Sequence, residues 1–210
     1  MEKAAFFAAI ADGNELKLHD LLKKQPGLIA SRYQGASPVL WACYHRRNAI
    51  ARLLAGKVDL DIWEAASMDE LPRLLSLLKM EPALMSLLSE DGYSPLHLAA
   101  FFGSVACLET LIFYGADVNM VADNDSAVTP LHSAVANAEQ NGRLACVMAL
   151  LAAGSKANAR QQGGFTPLHT AVQRADPVVT QCLLAAGADA SLAADDGRRP
   201  RDFFPTKNPA

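Results

Sequence analysis

The sequence predicts an all-α solenoid of stacked helix-turn-helix units, on three observations. The tetrapeptide [Ser/Thr]-Pro-Leu-His occurs at Ser94-Pro95-Leu96-His97, Thr129-Pro130-Leu131-His132 and Thr166-Pro167-Leu168-His169. The copies are 35 and 37 residues apart, and a spacing of about 33 residues with this tetrapeptide marks stacked helical hairpins. Each copy is followed by Ala two residues on, then by a Leu or Ile pair and a Gly.

The chemistry of the unit explains the recurrence. A Ser or Thr hydroxyl caps the open N–H groups of a helix start, and the following Pro has its φ preset and no N–H to leave unpaired. Each copy therefore starts a helix. Ala99-Ala100, Ala134 and Ala171 allow close packing, and Leu96, Leu131 and Leu168 face the core. After a turn, Leu111-Ile112, Leu150-Leu151 and Leu183-Leu184 give a second apolar face. Gly115, Gly154 and Gly187 stand where that second helix ends and a left-handed residue is needed.

These motifs, with the Gly115-Ala116-Asp117-Val118-Asn119 run after them, resemble those of the ankyrin-repeat family. The style of Asp91-Gly92-Tyr93-Ser94-Pro95-Leu96-His97 is similar to that of small bacterial members. The resemblance covers nearly the whole chain. It implies L-shaped units, each of two antiparallel helices and a short β-hairpin finger, stacked into a curved solenoid.

Taken along the chain, the units are expected at about 1–33, 34–58, 59–90, 91–122, 123–162 and 163–195 of one domain spanning 1–210. The first and third lack the tetrapeptide but match each other: Phe7–Leu28 overlays Trp63–Leu84 at an offset of 56, placing Leu18 on Leu74 and Gln25-Pro26 on Glu81-Pro82. Asp61 is the expected N-cap of the third. The second keeps Ser37-Pro38 but has Leu40 in place of His. Between Gly56 and Ile62 there is no room for a finger, which should interrupt the groove and confine it to units three to six. The fifth carries extra residues within Ala138–Arg143 and a longer fingertip near Asp123-Asn124-Asp125. The partial copy at Asp196–Phe203 reads as a C-terminal cap within 196–210, which a solenoid needs to cover its last apolar face, with Thr206–Ala210 frayed.

Half the 210 residues are hydrophobic, 20% are charged and the net charge is −3. Core material is ample, and the balance argues against a nucleic-acid surface, which calls for clustered basic residues. Arg198, Arg199 and Arg201 sit among Asp195, Asp196 and Asp202, as a solvated cap would. The longest apolar stretch, Leu144–Ala153, is half the ~20 residues of a membrane span. Ala4–Ala11 looks superficially like a leader, yet Glu2 sits in its basic region and the segment overlays the helix at Trp63, so it is expected as the first helix.

Cys107 and Cys146 occupy equivalent places in adjacent units, roughly 10 Å apart and beyond the ~7 Å limit for a disulfide. They, Cys43 and Cys182 read as small apolar groups in a reducing compartment, the cytoplasm. His97, His132 and His169 form a row at the same spacing, so they cannot converge on one metal ion; the family implies a structural role for them. The sequence holds no nucleophile elbow, zinc-helix motif or phosphate loop. Asn124-Asp125-Ser126 is a sequon by chance, and Asn119 resembles the finger asparagine that is hydroxylated in some family members.

In the family, partners bind the concave face, just before the tetrapeptide and at the end of the first helix. Those positions here include Glu90, Asp91, Tyr93, Phe101 and Phe102 in unit four, Asp123, Asp125, Val128 and Asn137 in unit five, and Phe165, Gln173 and Arg174 in unit six. Aromatics are the best anchors, since a few buried aromatics and Arg carry most interface energy; Phe101 and Phe102 could equally pack under the next finger. The acidic fingertip at Asp123 and Asp125 favours a basic partner. The expected function is non-catalytic protein–protein recognition by a regulator or adaptor that is a monomer when free, with no catalytic or metal residues, cofactor, nucleic acid or membrane involved. The alternatives are an enzyme with an unrecognised site on the scaffold and a structural self-assembly module.

Overall fold

In a computed structural model, which describes residues 2–137 and 140–203, the chain forms helical hairpins in series. They are α1 (Glu2–Asp12) with α2 (Glu15–Lys24), α3 (Pro38–Tyr44) with α4 (Asn48–Ala55), and α5 (Ile62–Ser67) with α6 (Leu71–Met80). Then come α7 (Pro95–Phe102) with α8 (Val105–Phe113), α9 (Pro130–Ala136) with α10 (Gln140–Ala152), and α11 (Pro167–Gln173) with α12 (Pro177–Ala185). The first helix of each hairpin packs on the first helix of the next, from α1 through α3, α5, α7 and α9 to α11, and a 3-10 turn at Pro200–Phe203 closes on α11. The residues expected at 204–210 and at 138–139 lie outside the described part.

The expected start signals operate as hydrogen bonds. The Ser37 and Ser94 hydroxyls accept from the Leu40 and His97 amides. Asp61 accepts from Glu64 N at 2.8 Å while the Glu64 carboxylate accepts from Asp61 N at 2.9 Å, a reciprocal capping box. First helices end on a left-handed residue at Gly13, Arg46, Asp69, Gly103 and Ala175, and second helices are followed by left-handed Gly115, Gly154 and Gly187.

Ala65, Ala99, Ala134 and Ala171 are fully buried between first helices, where a small side chain allows the close approach. Leu74, Leu78, Leu108, Leu111, Leu150 and Leu183 bury the second helices beneath them. This core runs continuously from Ile62 to Ala188. A separate cluster from Phe6 to Leu60 serves the first two hairpins, built on Phe7 with Tyr33 and Trp41 at ring distances of 5.2 and 5.7 Å. Phe6, Phe7 and Ile10 are buried in it and Ala9 is buried beside them, so Ala4–Ala11 forms part of α1 and turns these four side chains inward. Cys43, Cys107 and Cys146 are buried free thiols, and Cys182 is a half-buried one. Burial pushes the Cys43 and Cys146 thiols up to about 12, keeping them protonated.

The fingers are tighter than a β-hairpin ladder. Each is closed by a short-range backbone bond, as Ala122 N to Val128 O at 2.8 Å or Gln161 N to Phe165 O at 2.9 Å. Neighbouring fingers are joined by bonds from Asp123 N to Gly92 O, Gln162 N to Ser126 O and Asp195 N to Gly163 O. Among the described residues the one β-bridge is Tyr33–Ala36. Histidine ties finger to helix: Nε2 of His97, His132 and His169 lies 3.0, 3.2 and 3.2 Å from the carbonyls of Val128, Phe165 and Arg198. Each Nδ1 is bonded to its own capping Ser or Thr hydroxyl. Both ring nitrogens are thus engaged in holding the stack.

The absent finger between Gly56 and Ile62 has a different effect from the interruption expected. With nothing between them, the turn at Tyr33–Ala36 lies directly against the finger before α7. A Cβ added at Gly35 would stand 3.0 Å from the Asp91 amide nitrogen. Arg32 bridges the two levels, 3.4 Å from both Asp61 and Glu90. Hairpin two therefore borders hairpin four along the fingers, while Glu64 of α5 accepts the Ser37 hydroxyl at 2.5 Å from beneath.

Candidate partner-binding face

First helices and fingers enclose a groove of about 450 Å³. Its lining follows a register. Counted from each capping Ser or Thr, the residue one before and those four and seven after line it: Tyr93 ahead of α7 with Leu98 and Phe101 on it, then Val128 ahead of α9 with Ser133 and Ala136 on it, and Thr170 on α11. Residues three apart share one face of a helix, so successive units add to a single surface. His97 and His132 form part of the lining. Burial holds both rings at about 4, below their ordinary range, so they are neutral at physiological pH.

Tyr44 of α3 closes the N-terminal end. Its hydroxyl donates to Asp91 Oδ2 at 2.7 Å and its ring lies 5.6 Å from that of Phe102. Burial, and then the Asp91 carboxylate beside it, push its pKa far up, so the donor role is fixed. Sequence reasoning missed Tyr44 although the signal was present: it follows Ser37 by seven residues, as Phe101 follows Ser94. No residue of α5 lines the groove, so the face runs from hairpin two to hairpin four and onward instead of beginning at unit three.

Of the residues expected at a partner site, the groove gathers Tyr93, Phe101 and Val128. Phe101 is 38% exposed, whereas Phe102 is half-buried and packs against Tyr44. The two alternatives for this pair thus divide between its members. Asp123 and Asp125 are exposed on the adjoining fingertip, and Gln173 and Arg174 are exposed at the far end of α11. Phe165 is half-buried against His169 and Phe203, with the Arg198 guanidinium 5.5 Å from its ring. It belongs to the C-terminal cap.

Asn137 corrects the expectation: it is 2% exposed and offers no surface to a partner. The reason is Arg143, in the first turn of α10, which reaches back to the end of α9: its Nε donates to the Asn137 carbonyl at 2.7 Å and its Nη1 pairs with Asp176. Arg174 donates to the same carbonyl at 3.1 Å. Asn119 is likewise committed, donating to the Gly154 carbonyl and accepting from the Lys156 amide of the next unit.

A repeat stack with a partly apolar concave groove, whose histidines are consumed in holding the fingers, defines a scaffold of the recognition type. The comparisons agree with its construction. The profile for "Ankyrin repeats (3 copies)" matches residues 62–161 and that for "Ankyrin repeat" matches 163–196, and the chain belongs to the ankyrin-repeat family. NF-kappa-B inhibitor delta of Mus musculus is 31% identical over 171 residues, covering 69% of this chain and 50% of that protein. Protein phosphatase 1 regulatory subunit 27 of Homo sapiens is 34% identical over 87 residues, covering 41% and 54%. Ankyrin repeat domain-containing protein 53 of Macaca fascicularis is 37% identical over 83 residues, covering 39% and 16%. The matches therefore span about half of these relatives or less, and, being to mammalian proteins, they lend no support to the bacterial style. Among the described residues no helix is long and apolar enough to cross a membrane, and no group of His, Cys, Asp and Glu could hold a metal ion.

Proposed function

We propose that this chain is a single non-catalytic recognition domain of six units and a cap, which binds another protein in its concave groove as a regulator or adaptor. The observation that carries this reading is the groove itself: it joins residues from four hairpins at repeated helix positions and leaves Phe101 open. Family membership supports it, as do relatives named as an inhibitor of NF-kappa-B and a regulatory subunit of protein phosphatase 1. Against an enzyme reading stands the use of both nitrogens of each motif histidine in structural bonds, which leaves them no lone pair or proton for a substrate. Buried free thiols suit a reducing compartment, and we place the protein in the cytoplasm.

A photo-crosslinking amino acid placed at Phe101 tests the reading against one placed at Phe113, which is 86% exposed on the second-helix layer. Irradiation in cells of the source organism should trap a discrete protein from position 101 and none from 113. Trapping from 113 alone, or the same products from both, would refute the concave site.

A further inference from the structure

We infer that the groove receives a short cationic segment of the partner protein, which inserts one or two large aliphatic or aromatic side chains while its Lys or Arg residues lie against the fingertips. This rests on the reading of the concave face as the partner site and specifies what that site selects. Three features of the groove carry it.

The first is its size and blind end. An α-helix is 10–12 Å across with its side chains, so a volume of about 450 Å³ is filled by roughly one turn. Tyr44, held to Asp91 and packed against Phe102, stops a segment from continuing past α7. That wall exists because the missing finger lets hairpin two meet hairpin four. The groove is therefore shaped for an anchor and not for a long helix.

The second is the lining. Tyr93, Leu98, Phe101, Val128 and Ala136 offer apolar surface, which a large apolar side chain would bury at roughly 1.5–3 kcal/mol. The two histidines in the lining are neutral and have their ring nitrogens occupied, so they neither attract nor repel a charged anchor. Ser126, Gln161 and Thr170 supply hydroxyl and amide groups at the sides, enough to meet the backbone of an extended segment.

The third is the charge at the mouth. Glu90, Asp91, Asp123 and Asp125 stand on two fingers joined to one another through Asp123 N and Gly92 O. Among the described residues Glu90 pairs with Arg32, and no ion pair serves Asp123 or Asp125. Asp91 is turned inward to Tyr44 and Ser89. Away from the fingers, past the ends of α3 and α11, stand the exposed Arg46 and Arg174, the latter donating to the Asn137 carbonyl. The rim is thus polarised, acidic along the fingers and basic along the helix ends. A cation beside the anchor is drawn to the finger side, and an acidic residue there is repelled. Rim charges of this kind act mainly on encounter rate and on choice of partner.

The test is selection of a random twelve-residue phage-displayed peptide library on the full chain, followed by fluorescence anisotropy of the enriched peptides. We expect peptides that combine Leu, Phe or Trp with neighbouring Lys or Arg. Their affinity should fall about tenfold or more in Asp123→Lys/Asp125→Lys and should weaken as salt is raised, since exposed charges are screened. Ala136→Trp, which fills the groove, should abolish binding. Phe101→Ala, a milder change at an exposed site, should weaken it in a protein whose unfolding midpoint matches wild type.

Enriched peptides that are neutral or acidic, yet lost in Ala136→Trp and weakened in Phe101→Ala, would overturn the cationic assignment and leave the concave site standing. Cationic peptides that bind both groove variants as well as wild type would overturn the site as well. A library that yields no binder would overturn the short-segment proposal, while crosslinking from position 101 would still decide the broader reading.

Discussion

Gly142 and Gly103 meet backbone to backbone where α10 begins. A Cβ at Gly142 would collide with the Gly103 carbonyl oxygen and stand 2.7 Å from its Cα, and neither is a flexible chain end that could move aside. Gly103 itself sits at φ 73° as the left-handed end of α7. The first turn of α10 can lie this close to the end of α7, with Arg143 in reach of Asn137, only because both positions lack a side chain. Gly115 is different: it is also left-handed, at φ 94°, but a Cβ there would meet nothing within 4 Å. The pair separates steric from conformational need. Gly142→Ala should cost about 3 kcal/mol, as overpacking does, and Gly115→Ala about 1 kcal/mol, as a strained backbone does. Urea unfolding of both variants measures this, and equal losses would show that the α9–α10 connection yields to the added methyl.

At the scale of the element, the finger is held less by its own turn than by the histidine behind it. A protonated His97 or His132 would have to give up a bond or bury a charge, because Nδ1 faces its capping amide and hydroxyl while Nε2 faces a carbonyl. Burial lowers both pKa values from 6.5 to about 4. In the unfolded chain these rings take up protons near 6.5, so as the pH falls below that value the unfolded state binds more protons and stability drops, until the loss is complete near 4. The effect is on the order of 3 kcal/mol per ring. Glu64 acts in the opposite sense. Burial, and then the Asp61 charge, raise its pKa, so its contribution favours the fold at low pH and is lost as the pH rises through the raised value. Between pH 6.5 and 4.5 the histidines dominate. Urea midpoints measured across this range should fall steadily toward acid, and a flat profile would show that the rings are not neutral and bonded as described. These bonds are also why the tetrapeptide made the fold legible: a hydroxyl cap, a fixed φ and a reaching imidazole are local requirements that a sequence states outright. The groove was only half legible. Positions such as Tyr93, Phe101 and Val128 follow from helix register, whereas the burial of Asn137 depends on Arg143 reaching back to it from the first turn of α10. Tyr44 depends on two fingers meeting across a gap.

For the whole molecule, the missing finger also marks a change in how the stack holds together. The core from Ile62 to Ala188 passes unbroken through four hairpins, while the first two hairpins have their own cluster of Phe6, Phe7, Ile10, Trp41 and their neighbours. Between them lies a small third cluster of Ala36, Leu40 and Leu98, flanked by Tyr44, Tyr93 and Phe102. The Tyr44–Asp91, Ser37–Glu64 and Arg32 bonds cross the same boundary. In a solenoid, stability is nearly a sum of unit and nearest-neighbour terms, so unfolding separates wherever an interface is weak relative to the units on either side. The boundary here combines that three-residue apolar cluster with polar and aromatic contacts, where the hairpins beyond it share one continuous core. Phe7, 1% exposed and central to the first cluster, is the place to load it. Phe7→Ala should remove about 3–5 kcal/mol from the first two hairpins, more than such a boundary can transmit. Hydrogen exchange followed by mass spectrometry should then show residues 2–55 losing protection while 95–185 keep theirs, with a two-step urea transition in place of one. A single transition with uniform loss of protection would mean that the meeting of hairpins two and four couples the stack as firmly as the alanine interfaces do. The blind end of the groove would then be as rigid as its walls.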